Sequence, residues 1–171
     1  MVTKSPTGGV ALALYQPDIP QNAGTLIRLA ACLGLECHIV RPEGFRADDR
    51  SLRRAGLDYL DRAALVRHQS WSAFEVWRSG ERRRLVLATT KAEMPYTDFG
   101  FNTGDIIMVG RESAGVPDDV HAAATAQVTI PMVAEMRSLN VAAAAAMVIG
   151  EALRQIGGFA IDHSTEPKEC A

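Results

Sequence analysis

The residues best equipped for chemistry fall in two loops within one stretch, Gly104 to Leu153. The first loop, Gly110-Arg111-Glu112-Ser113-Ala114-Gly115-Val116-Pro117, joins two glycines to a carboxylate and a proline. Gly110 and Gly115 permit positive φ and a close approach of backbone to ligand. Pro117 suits the first turn of a following helix. The second loop ends in Ser138-Leu139-Asn140, with Ser138 placed as a helix N-cap. A third polar cluster, Asn22-Ala23-Gly24-Thr25-Leu26-Ile27-Arg28, sits at the first strand-to-helix junction, and an arginine there can hold a phosphate bidentately.

The elements that must position these loops follow from the apolar pattern. Strands are predicted at Val10–Tyr15, Glu36–Arg41, Leu65–His68, Leu85–Thr90, Asp105–Val109 and Val128–Pro131. Helices are predicted from Gln21 or Asn22 to Gly34, over Trp71–Ser79, after Pro117, and from Ser138 to Gly157. The last carries small residues from Ala142 to Ala146 and is apolar on most sides, which implies close packing against several neighbours. Strands alternating with helices predict an α/β fold, a mostly parallel six-stranded sheet with helices on both faces. Both ligand-shaped loops then fall at carboxyl ends of strands, the edge where open α/β sheets bind ligands. One domain is expected over 10–157, with a flexible lead-in at 1–9 and a frayed tail at 158–171.

Composition removes several classes. No apolar run reaches the roughly 18 residues of a membrane span, and the N-terminus lacks the apolar core of a signal peptide. Cys32, Cys37 and Cys170 form no CxxC pair, so a reduced, cytoplasmic protein is expected. His38, His68, His121 and His163 show no metal-ligand spacing, and no metal is expected. There is no GxSxG elbow, Walker loop or GxGxxG fingerprint. The formal net charge of −2 speaks against a general nucleic-acid coat and leaves room for a local basic face.

The order NxGxxxR, then GRESAGVP, then IPMxxxxRSLNVAxA resembles the three motifs of the SpoU branch of SPOUT RNA ribose methyltransferases. The likeness runs from Ala11 to Gly157. It is closest to the small single-domain members that methylate the 2′-hydroxyl of the tRNA wobble nucleotide, which share YQPDIPQNAGTLIR and LRRAGLDYL. The resemblance implies a C-terminal deep trefoil knot, a homodimer, and S-adenosylmethionine as cofactor, leaving S-adenosylhomocysteine. It also implies the anticodon stem-loop as partner, with cytidine or a modified uridine at position 34, leucine tRNAs foremost, as target. Carried over by motif, Ala88, Gly110, Glu112, Ile130, Met132, Ser138 and Leu139 would bind the cofactor. Arg28, Asn22, Ser138 and Asn140 would form the catalytic group, and Arg53, Arg54 and Tyr59 would grip RNA. Relatives often carry a polar residue where Ala142 to Ala146 stands here.

A guanidinium, with a pKa above about 12, is an awkward general base. Arg28 is therefore expected to clamp the RNA phosphate and lower the hydroxyl's pKa, with Asn22 holding it; without the motif it reads as a solvated helix-face arginine. Arg53, Arg54 and Tyr59 read equally as an ordinary helix–turn. Arg111 either touches substrate phosphate or points to solvent. Rival readings are a ribosomal RNA 2′-O-methyltransferase and a non-catalytic dimeric RNA-binding protein of the same fold.

Overall fold

The computed structural model describes residues 9–46, 50, 54, 59 and 63–159. Arg53, the lead-in up to residue 8 and the tail from residue 160 lie outside the described residues. Six strands form one sheet: β1 Ala11–Tyr15, β2 Glu36–Val40, β3 Ala64–His68, β4 Leu85–Ala88, β5 Ile106–Val109 and β6 Ala126–Val128. Their order is β3-β2-β1-β5-β4-β6, and every pairing is parallel. Four helices are described: α1 Pro20–Leu33, α2 Trp71–Gly80, α3 Asp118–Ala123 and α4 Val141–Ile156.

The central strands are continuous apolar runs because both sheet faces are covered. Alternate side chains divide between two cores. Leu12, Leu14, Ile39, Val86 and Ile107 pack with Leu26 and Ile27 of α1 and Val148 and Ile149 of α4. Ala11, Ala13, Tyr15, Leu85, Ile106 and Met108 pack with Phe74 of α2 and Val120 of α3. None of the described helices is long and apolar enough to cross a membrane.

Among the boundaries that differ from the sequence expectation, the following have clear local reasons. α1 starts at Pro20 because proline fits the first helical position, where no intrahelical N–H bond is needed. β6 lies earlier than predicted because Thr129 leaves the ladder: its N–H donates to the Met94 carbonyl while Tyr96 N–H donates to Thr129. The N-cap of α4 is Asn140, not Ser138; Asn140 Oδ1 accepts from the backbone N–H of Ala142 (2.9 Å) and Ala143 (3.3 Å). Nor is α4 buried all round. Ala142, Ala145, Val148, Ile149, Ala152 and Leu153 are buried, while Ala143, Ala146 and Met147 are exposed.

Strand register also makes a histidine pair that spacing did not show. His38↔Val66 and Val40↔His68 are in register, so the two rings share a face. His38 Nδ1 and His68 Nε2 are 3.1 Å apart, packed against Phe74 and Trp77. Burial, then the neighbouring His68 and Arg83, depresses the His38 pKa to about 3, and burial lowers that of His68. Both rings are therefore harder to protonate in the folded protein, while the unfolded chain takes up protons below the ordinary histidine pKa. The stabilising contribution is complete above about pH 6.5 and is lost as pH falls from there towards 3. Urea unfolding is expected to show about 1.4 kcal/mol lost per pH unit for His38 over that window. His38→Leu should remove that share of the slope, and an unchanged slope would show that His38 takes up a proton as readily in the folded protein as in the unfolded chain.

Candidate active site

The sheet order reverses between β1 and β5, and beside this switch point the strand ends open into a cleft of about 450 Å³. Its floor comes from the ends of β4 (Leu87 to Thr90) and β5 (Val109 to Glu112), and from Val128 to Met132 beyond β6. Ser138 to Val141 form a wall, and Ile19 and Asn22 reach in from the start of α1. Nine residues named from the sequence meet here: Asn22, Ala88, Gly110, Glu112, Ile130, Met132, Ser138, Leu139 and Asn140. Thr89 and Thr90 line it as well. They closed the predicted LVLATT strand but had been given no role.

The Gly110 loop is pinched shut at its base. Arg111 and Gly115 exchange backbone hydrogen bonds of 3.1 and 2.8 Å, and Gly115 adopts a φ of +65°. A Cβ on Gly110 would stand 2.7 Å from the Gly115 carbonyl carbon. The turn directs Glu112 towards α1, where Asn22 Nδ2 donates to Glu112 Oε1 (3.0 Å). Asn140 Nδ2 in turn donates to Asn22 Oδ1 (3.0 Å). The three polar clusters are thus tied into one chain of side-chain bonds, Asn140 to Asn22 to Glu112.

Asp18 completes that chain. Its Oδ1 accepts from Glu112 N–H (3.0 Å), its Oδ2 accepts from the hydroxyl and N–H of Ser113, and its own N–H donates to Glu112 Oε2 (3.3 Å). Sequence reading gave Asp18 no role; its signal was an aspartate between Pro17 and Pro20 just after a buried strand. A hydrogen bond with the Glu112 carboxyl, reinforced by Ser113, holds the Asp18 carboxyl down at about 2. Burial, then the same contact with Asp18, pushes Glu112 above the usual carboxylate range. Of the two, Glu112 takes up a proton first.

Arg28 lies elsewhere. It sits on the exposed ridge of α1 with Gln21, Thr25 and Cys32, and it does not line the cleft. Asn22 does not hold it, because both ends of the Asn22 amide are engaged by Glu112 and Asn140. The Arg28 guanidinium instead lies over the Tyr59 ring, 5.0 Å from its centroid. Arg54 is exposed and Tyr59 half-buried, and both are outside the cleft. Arg111 lines the cleft and turns towards β1: its Nη2 donates to Gln16 Oε1 at the end of that strand, and its Nε is buried without an acceptor among the described residues.

A mostly apolar cleft with a few fixed amides and hydroxyls suits an organic ligand with flat apolar faces, and its volume falls in the usual range of about 300–1,000 Å³. No group of three or more His, Cys, Asp or Glu among the described residues is arranged for a metal ion. The family model described as the SpoU rRNA Methylase family matches residues 9–150. The chain belongs to this family. Among curated relatives of this SpoU methylase, the tRNA (cytidine(34)-2′-O)-methyltransferase of Beijerinckia indica is 63% identical over 149 residues, covering 87% of the chain and 93% of the relative. A solved structure concerned with 2-OH methylation of C/U34 on tRNA superposes with a TM-score of 0.83 at 38% identity, covering 90% of this SpoU methylase and 99% of the other chain. The SpoU methyltransferase AviRb of Streptomyces viridochromogenes, in complex with the cofactor AdoMet, gives a TM-score of 0.80 at 26% identity, covering 88% and 61%.

Proposed function

We propose that this protein transfers the methyl group of S-adenosylmethionine to the ribose 2′-hydroxyl of nucleotide 34 of tRNA, a cytidine or modified uridine. The observation that carries this reading is the Asn140–Asn22–Glu112 chain, which binds all three motif segments around one cleft. The 63% identical relative of that name supports the substrate. The cofactor is supported by the AdoMet complex of a structural neighbour and by a cleft whose lining fits it. Ala88, Gly110, Ile130, Met132 and Leu139 would hold adenine and ribose through backbone groups and apolar contact, with Glu112 shaping the loop and Ser138 offering a hydroxyl.

Bound there, S-adenosylmethionine supplies an activated methyl group, so the protein's work is orientation and charge management. A ribose hydroxyl becomes a useful nucleophile as its proton is drawn away. Arg28, on the exposed ridge of α1 outside the cleft, would act on the resulting negative charge only through the RNA, by clamping the phosphate next to the ribose, while Asn140 and Ser138 fix the cleft wall against which the ribose is presented. Arg54 and Tyr59, together with Arg53, which lies outside the described residues, would meet the anticodon stem-loop.

Two structural readings accompany this one. The chain returns from edge strand β6 to place α4 against α1, β4 and β5, a path in keeping with a C-terminal trefoil knot. A homodimer would cover the open apolar side of α4 at Ala143, Ala146 and Met147, together with exposed Val133, Met136 and Leu139. A tRNA substrate places the protein in the cytoplasm.

The test uses tRNA from a strain lacking the gene, incubated with the purified protein and labelled S-adenosylmethionine and mapped by mass spectrometry. A 2′-O-methyl mark confined to position 34 is expected. Label in ribosomal RNA alone would move the activity to that substrate, and no label in any RNA would leave a binding protein.

A further inference from the structure

We propose that Tyr59 is a positioning residue for Arg28, its ring face holding the guanidinium in the orientation in which it meets the RNA phosphate. The inference rests on the methyl-transfer reading above and assigns Tyr59 a task other than stacking on a base.

Arg28 projects from the exposed ridge of α1. An unsupported arginine there samples many rotamers, and only a few present its planar fork to a phosphate. The guanidinium carbon lies 5.0 Å from the Tyr59 ring centroid, within the roughly 6 Å at which a cation and a ring face attract. The ring is the anchored member of the pair. Tyr59 is half-buried, and its carbonyl accepts from Ala63 N–H (2.8 Å), while Ala63 packs against the core shared by α1 and α4. A guanidinium that stacks on a ring keeps its in-plane N–H donors available, and those are the groups that grip phosphate. A ring face occupied by Arg28 is closed to a base. Tyr59, five residues after Arg54 in the sequence, would thus serve orientation where Arg54 serves binding.

The experiment compares Tyr59→Phe, which keeps the ring, with Tyr59→Leu, which removes it, in single-turnover methylation of tRNA at saturating cofactor. Tyr59→Leu should slow transfer about tenfold, the equivalent of about 1.4 kcal/mol, with the tRNA Kd shifted by less than about threefold. Tyr59→Phe should recover most of the rate, and in an Arg28→Ala background Tyr59→Leu should cost nothing further. In proton NMR the Arg28 δ-methylene should show a ring-current shift in the wild type and Tyr59→Phe that disappears in Tyr59→Leu. The proposal is overturned if Tyr59→Phe is as slow as Tyr59→Leu, if Tyr59→Leu weakens tRNA binding without slowing transfer, or if the wild type shows no shift. A wild type that methylates no tRNA would instead overturn the substrate assignment, and a shift still present would leave Tyr59 as the residue that holds Arg28.

Discussion

Gly110→Ala is expected to weaken S-adenosylmethionine binding by about 100-fold or more while leaving the sheet intact. The new Cβ would stand 2.7, 2.9 and 3.0 Å from the carbonyl carbon, Cα and oxygen of Gly115. These are backbone atoms, so no side chain can swing away to make room. Relief requires opening the Arg111–Gly115 bridge, which breaks hydrogen bonds of 3.1 and 2.8 Å and moves Glu112 off Asn22 and Asp18. At about 1 kcal/mol per hydrogen bond lost, two to four bonds amount to a factor of roughly 30 to 1,000 in affinity. Titration calorimetry with S-adenosylmethionine, beside circular dichroism for the fold, checks the expectation. Gly115→Ala is the comparator: its Cβ meets nothing within 4 Å, and its φ of +65° costs only about 1–2 kcal/mol. A Gly110→Ala protein that binds the cofactor as the wild type does would show that the pinched loop is not the cofactor cradle.

The second large effect is expected at Asn140, whose side chain works in two directions. Its Oδ1 caps α4 at Ala142 and Ala143, and its Nδ2 donates to Asn22. Asn140→Ala removes both, with about 1–2 kcal/mol lost from the cap and methyl transfer reduced about 100-fold through the broken link. Asn140→Asp separates the two tasks. A carboxylate still accepts from both backbone N–H groups and is favoured at a helix N-terminus, yet it cannot donate to Asn22. Thermal unfolding should return to near the wild-type midpoint in Asn140→Asp while single-turnover transfer stays low. Recovery of both would mean that the link to Asn22 has no part in the reaction.

The sequence was most legible where the physics is local. β1, β4 and β5 could be read as apolar runs because each is buried on both faces, and Gly34 was read as the stop of α1 because it takes the left-handed cap, with a φ of +68°. The cleft residues could be read together because the three polar clusters all fall at strand ends or the helix starts that follow them. What escaped depended on distant partners. Asp18 gains its meaning from Glu112 and Ser113, about 95 residues away, and the His38–His68 pair exists only through the β2–β3 register. The expected tie between Asn22 and Arg28 is absent from the structure, and helical geometry accounts for it. Six residues at about 100° each turn Arg28 about 120° away from Asn22, so the two cannot share a face. The Ser138 cap failed for a subtler reason: serine and asparagine two residues apart are both good caps, and the tie to Asn22 favours Asn140.

The order of the sheet has a consequence for how the chain is made. β1 lies between β2 and β5, and its pairing with β5 joins Ala11 to Ile106. During synthesis β1, β2 and β3 can assemble by the time residue 68 has emerged, but one edge of β1 stays unpaired until β5 follows. That edge is apolar and unguarded by charge, the kind that recruits a strand from another nascent chain. Contacts this far apart in sequence also make for a slow search. The active cleft, built on the last strands to arrive, is therefore finished only after the centre of the sheet has closed.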